Sequence, residues 1–236
     1  MAGETRSVEV AVELATAYAE SGLELSGMDP AIARLEEDER AHVALCQAFV
    51  RGLGSHDVRA GERVADAQPL VPEPDSEPPS VHLLRYVLTG LAVCESVSAL
   101  RFAVVRAHTD LPLPRACIDL FLRDESAHAR LGFVLLPAAL AHHRALVGVE
   151  RAASDIDAEL RSTLRHLDLA VGLDAHRRNL TLRARPQPTE NPGVIEPALD
   201  ALAFYRGMER TIVPRLERLG VAAISAWRDR WVTPVA

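Results

Sequence analysis

Lysine is absent. All 26 basic residues among the 236 are arginine, which reads as a preference for GC-rich codons and carries no chemistry of its own. Aromatic residues make up only 4% of the chain, so no base-stacking surface is evident. The net charge of −7 leaves no basic face to neutralise phosphates, and a nucleic-acid partner is not expected. Cys46, Cys94 and Cys117 are odd in number and lack CxxC spacing. That excludes a disulfide framework and points to a reducing, cytoplasmic setting. No run reaches the roughly 18 uncharged apolar residues of a membrane span. Residues 1–7 lack the basic and apolar regions of a signal peptide.

What is present is helical. Hydrophobic residues account for 48%, enough for a sizeable core, and no segment sustains β-alternation. Over residues 4–24, Val8, Ala11, Val12, Ala15, Tyr18 and Ala19 recur at helical spacing, with Glu9, Glu13, Thr16 and Glu20 opposite. Asp29 as N-cap and Pro30 at the first helical position start a second helix that runs to Gly52 or Gly54. Residues 55–80 hold Pro69, Pro72, Pro74, Pro78 and Pro79, which no regular helix accepts; they read as a long crossover. A third helix covers Ser80 to His108, and a fourth starts near Pro114 with a kink expected at Pro137. A fifth spans 149–180, a Pro-rich loop covers Arg183 to Pro197, and a last helix from Ala198 is expected to stop or bend near Pro214. The expectation is an all-α chain: a four-helix bundle over residues 1–145 with one long crossover, its second and third helices parallel, and a C-terminal helical extension over 146–236 packing on it.

Two segments repeat one pattern: Asp38-Glu39-Arg40-Ala41-His42 and Asp124-Glu125-Ser126-Ala127-His128. Both read D-E-x-A-H in mid-helix. A Glu and a His three apart share a helix face, so each segment can offer one carboxylate and one imidazole to the same ion. Each pair lies in an apolar stripe: Leu35, Glu39, His42, Cys46 and Phe49, then Phe121, Glu125, His128, Gly132 and Leu135. Burying such groups is costly unless a metal partners them. A dinuclear site needs one more Glu from each of the other two helices. Glu95 is the only acid in the third-helix stripe Leu84, Leu88, Leu91, Ala99 and Phe102. In the first helix Glu4 is in phase with Val8, Ala11, Ala15 and Tyr18, with Glu9 the fallback. Glu95 precedes Glu125 by 30 positions and Glu4 precedes Glu39 by 35, spacings that suit antiparallel hairpins with glutamates at one level. An internal two-fold duplication follows. The bland alternatives are two charged helix turns facing water, or a bundle that keeps the fold without metal.

These residues, with Cys94-Glu95-Ser96-Val97 and Glu4-Thr5-Arg6-Ser7-Val8, resemble the ferritin-like di-iron carboxylate superfamily, and more closely the bacterial ferritin-like domain-containing proteins. The resemblance covers residues 4–140, with a further likeness at Ile212 to Gly220. It implies Glu39, His42, Glu125 and His128 as ligands, with Glu4 and Glu95 completing or bridging two ions. Carboxylates with imidazole suit iron or manganese. The function implied is an oxidoreductase activating dioxygen or peroxide, with an external electron donor and either a small-molecule substrate or ferrous iron. A homodimer is compatible with this. The other reading is a non-catalytic iron-binding or storage module, or a helical interaction protein with a structural metal. No paired-cysteine rubredoxin segment is present, and the C-terminal extension exceeds a plain ferritin subunit.

The remaining polar and reactive residues read as structural. Cys46 and Cys94 are small core residues, Tyr18 is core packing, and His108 closes the third helix. His142, His143 and His176 lie at the surface.

Overall fold

The computed structural model describes residues 2–52, 77–182 and 197–232; side chains at 2–5, 172–182 and 197 lie outside the description. Most of the crossover expected over residues 55–80 and of the Pro-rich loop expected over Arg183 to Pro197 therefore falls outside the described residues. All described secondary structure is helical, with no strand among the described residues. We number the helices α1 (Ala2–Ser21), α2 (Met28–Gly52), α3 (Pro79–Ala107), α4 (Pro112–Val147), α5 (Val149–Leu182), α6 (197–218) and α7 (Ala223–Arg228). The chain forms two compact units, Met1–Val87 and Leu88–Ala236, and the division falls inside α3.

In the first unit α1 packs on α2 and on the start of α3. The buried face of α1 is Ala11, Leu14, Ala17 and Tyr18, whereas Val12 is 40% exposed and Ala19 faces water. The expected stripe was thus turned slightly: the bulk of Leu14 decides which side goes inward. The Tyr18 hydroxyl accepts from Leu25 N–H at 2.9 Å, which ties down the α1–α2 turn. That turn uses left-handed glycines, Gly22 at φ 71° and Gly27 at φ 77°. Asp29 lies within the first turn of α2, where a carboxylate favours the helix dipole. Tyr86 donates its hydroxyl to Glu13 at 2.8 Å, joining α1 to α3.

In the second unit α3 from Ser96 onward packs on α4 and α6, and α5 packs on α4, α6 and α7. Pro137 sits inside the continuous α4. The expected stop at Pro214 is not found: α6 continues to Arg218 through a π-helical segment, Met208–Ile212. Proline removes one N–H and its ring crowds the preceding turn; the Val213 N–H bonds to Met208 O, and this wider turn carries the chain into the proline. His143 is fully buried, with Nε2 3.1 Å from Asp155 Oδ2 across the α4–α5 hairpin. It is not the surface residue the sequence suggested, because α5 folds back over that face. His176 lies among the undescribed side chains.

By length and composition α3 is the one described helix that could cross a membrane. Val87, Leu88, Ala92 and Val93 of that helix have no solvent exposure, as in the core helix of a folded protein.

One carboxylate closes the C-terminal end. Asp168 on α5 accepts from Arg230 Nε and Trp231 Nε1, each at 2.8 Å, and from the Tyr205 hydroxyl of α6. Trp227 stacks beneath the Arg230 guanidinium at 3.8 Å. Burial alone would raise the Asp168 carboxyl, but those hydrogen bonds and the Arg230 charge outweigh it and hold the group below its ordinary 3.8. A carboxyl lowered in the folded state stabilises fully above its unfolded value and loses that contribution as pH falls through the folded one. Both tryptophans of the chain, Trp227 and Trp231, lie in this segment, so their fluorescence reports it alone. Asp168→Ala should cost about 1–3 kcal/mol and shift tryptophan emission to the red at neutral pH. Wild type should show that shift only as pH drops below about 4; an unshifted emission in the variant would contradict the clasp.

Candidate metal centre

The second unit brings three of the expected ligands together. One carboxylate oxygen each from Glu95 and Glu125 and a ring nitrogen of His128 lie within 4.8 Å of one another. Glu125 and His128 are 5% and 3% exposed, and Glu95 Oε2 is 3.9 Å from His128 Nδ1. Oxygen and nitrogen ligands sit about 2.0–2.6 Å from a divalent cation, so donors on opposite sides of one ion lie about 4–5 Å apart.

The helices set this geometry. Glu125 and His128 are three apart on α4 and share its inner face. Glu95 is the last residue of a ten-residue π-helical segment of α3, Tyr86–Glu95. Such wide turns are rare and concentrate at functional sites. Three contacts fix an antiparallel register between α3 and α4. Leu91 and Ala92 lie against Gly132, Glu95 reaches His128, and the Phe102 ring stacks on Phe121 at 5.1 Å and 11°. Each advance along α3 is matched by an equal retreat along α4. Gly132 makes this approach possible, because a Cβ there would sit 2.6 Å from Ala92 N and 2.7 Å from Leu91 C. Those neighbours are backbone and cannot yield.

In the first unit, Glu39 and His42 are buried on α2 at 2% and 0% exposure, with Oε2 and Nδ1 3.5 Å apart. The Asp that opens each D-E-x-A-H segment is also buried. Asp38 is bridged by Arg34 Nη2 at 2.7 Å, and Asp124 by Arg123 Nε at 2.7 Å. Sequence inspection did not pick out these arginines, although Arg34 stands one turn before Asp38 and Arg123 directly before Asp124. The side chain of Glu4 lies outside the described ones. The fallback Glu9 is overturned: it is exposed and paired with Arg6 at 2.8 Å, on the side of α1 opposite Leu14.

No family model matches the sequence, and no curated protein or solved structure matches it.

The donor set fits a divalent cation of intermediate hardness. It offers two carboxylates and an imidazole in a buried setting, where uncompensated carboxylates would repel and lack water. Burial pushes the neighbouring Cys94 thiol up to about 12, with the Glu95 charge adding to the shift. None of the three cysteines forms a disulfide. Tyr18 is buried at 8% exposure, and His108 places Nδ1 2.9 Å from Val104 O at the end of α3, as the readings of core packing and helix closure expected.

Gly132→Ala should destabilise the protein by about 1–3 kcal/mol through overpacking, read by chemical denaturation. Gly52→Ala, with open space around it, should be neutral or slightly stabilising. Equal stability of the two variants would show that the α3–α4 approach tolerates a methyl group.

Proposed function

We propose that this chain is a ferritin-like di-metal carboxylate oxidoreductase, with iron or manganese as its resident ions and dioxygen or peroxide as oxidant. The reading rests on one observation: Glu95, Glu125 and His128 form a buried group of mixed carboxylate and imidazole donors able to hold a metal ion. The sequence repeat extends it. The first D-E-x-A-H segment would supply Glu39 and His42 as the other half, with Glu4 as the first-helix carboxylate. The order helix, short turn, helix, long connection, helix, short turn, helix supports a ferritin-like bundle for α1 to α4; fold resemblance alone would not fix the reaction.

When bound, two reduced ions would supply electrons to dioxygen or peroxide at positions the protein ligands leave open. The chain's own residues do the rest. Glu95, Glu125 and His128 bind and orient. The Arg123–Asp124 bridge steadies the turn of α4 that carries Glu125. Leu91 and Phe121, buried one turn from Glu95 and Glu125 along their helices, would limit water around the donors and so strengthen their hold on charge. An external reductant and a small organic substrate complete the reaction, and the cytoplasm suits all of these partners.

Protein from iron-replete cells should carry about two irons per chain. Anaerobic reduction followed by dioxygen should produce an absorption band that Glu125→Ala lacks while its far-ultraviolet circular dichroism is unchanged. Metal-free protein from such cells, or the same band in the variant, would sink the assignment. Oxygen uptake driven by ferrous iron with no organic substrate would move it to a ferroxidase.

A further inference from the structure

We infer that the second unit holds a binding site for a short-chain aliphatic monocarboxylate, built between the α4–α5 hairpin and the turn that follows α6. The site does not depend on the di-metal reading. Its cationic residue, Arg144, follows His128 by 16 positions on the one helix α4, about 24 Å along the axis. A ligand held there is therefore not the molecule oxidised at the candidate metal centre.

A pocket of about 80 Å³ opens at this place. Ile156 and Leu160 of α5 line it together with Val221, and all three are buried, so its inner surface is apolar. Two ionic side chains border it, Arg144 and Asp157, and they differ in how their charge is met. Asp157 accepts from Arg161 Nε at 2.6 Å, so its charge is answered within the protein. Arg144 meets a neutral group: Nη2 donates to Gly220 O at 3.3 Å, and no carboxylate pairs with it among the described residues. A guanidinium carries five N–H donors in a planar fork that matches a carboxylate. Here a single donor is engaged, and the fork stands at the edge of an apolar pocket.

Size and charge together specify the ligand. Benzene, with six carbons, occupies a cavity of about 150 Å³, so the pocket beside Arg144 admits about three carbons. A carboxylate on Arg144 with a three-carbon tail against Ile156, Leu160 and Val221 satisfies both ends. A dicarboxylate fits poorly. Its second charge would enter the apolar interior near Asp157, where burial and like charge both oppose it.

The test is a two-dimensional NMR titration of the nitrogen-labelled full-length chain with butyrate. Butanamide, of the same shape without the charge, and succinate serve as comparators. Butyrate should shift the amides of Ala153 and of Gly220 to Ala222, and bind at least about tenfold tighter than either comparator. Arg144→Gln should weaken butyrate by about tenfold or more and leave butanamide unchanged. Ala153→Leu, at an exposed position on the pocket lining, should narrow the pocket and weaken butyrate and butanamide alike. Circular dichroism checks that both variants fold, and neither substitution touches a candidate metal ligand. If butyrate binds no more tightly than butanamide, or if either variant binds butyrate as wild type does, the site is overturned while the metal reading is untouched.

Discussion

Carboxylates beside an imidazole in an apolar interior are a constraint that the surrounding structure has to satisfy. Taking a carboxylate out of water costs several kcal/mol even after the protein relaxes, and two of them near each other repel. Glu95 and Glu125 meet beside His128 all the same, and Glu39 and His42 are more deeply buried still. A divalent cation would offset both penalties at once, which is the reason for reading the gathered groups as a candidate metal site.

Much of the second unit serves to hold α3 and α4 in that arrangement. α6 is fixed to α3 by the Arg101–Asp200 pair, with Nε to Oδ1 at 2.7 Å and Nη2 to Oδ2 at 2.5 Å. It comes so close that a Cβ on Gly207 would lie 2.4 Å from Leu100 Cδ1. The same helix reaches α4, where the Arg215 guanidinium lies 3.7 Å over the Phe133 ring. Asp168 then gathers α5, α6 and the C-terminal segment around one carboxylate. Residues beyond α4 thus act on the helices that carry the candidate ligands through packing, and none of them joins the candidate group among the described side chains.

Much of this was legible in the residues, and the exceptions have physical causes. The D-E-x-A-H repeat located both Glu–His pairs, because a spacing of three places two side chains on one helical face whatever surrounds them. The lone acid in an apolar stripe located Glu95 for the same reason. Helical spacing placed the buried residues of α3 but gave no sign of its π-helical turns. The π-helical stretch Tyr86–Glu95 has no composition that announces it, nor does the segment before Pro214. The inward face of α1 was misjudged because alanines mark a stripe weakly, and Leu14 and Tyr18 decide it by bulk. His143 looked like a surface histidine because its partner Asp155 lies across a turn, which helical spacing does not reveal. The Pro-rich stretches and the Glu4 side chain fall outside the described residues, and their sequence readings stand as expectations.

The most direct measurement of the central claim is an anomalous difference map at the iron absorption edge, from crystals of protein loaded anaerobically with ferrous iron. The account predicts a peak bounded by Glu95, Glu125 and His128, with a second beside Glu39 and His42. Crystals in which those side chains bind no metal, or turn away from one another toward water, would contradict it.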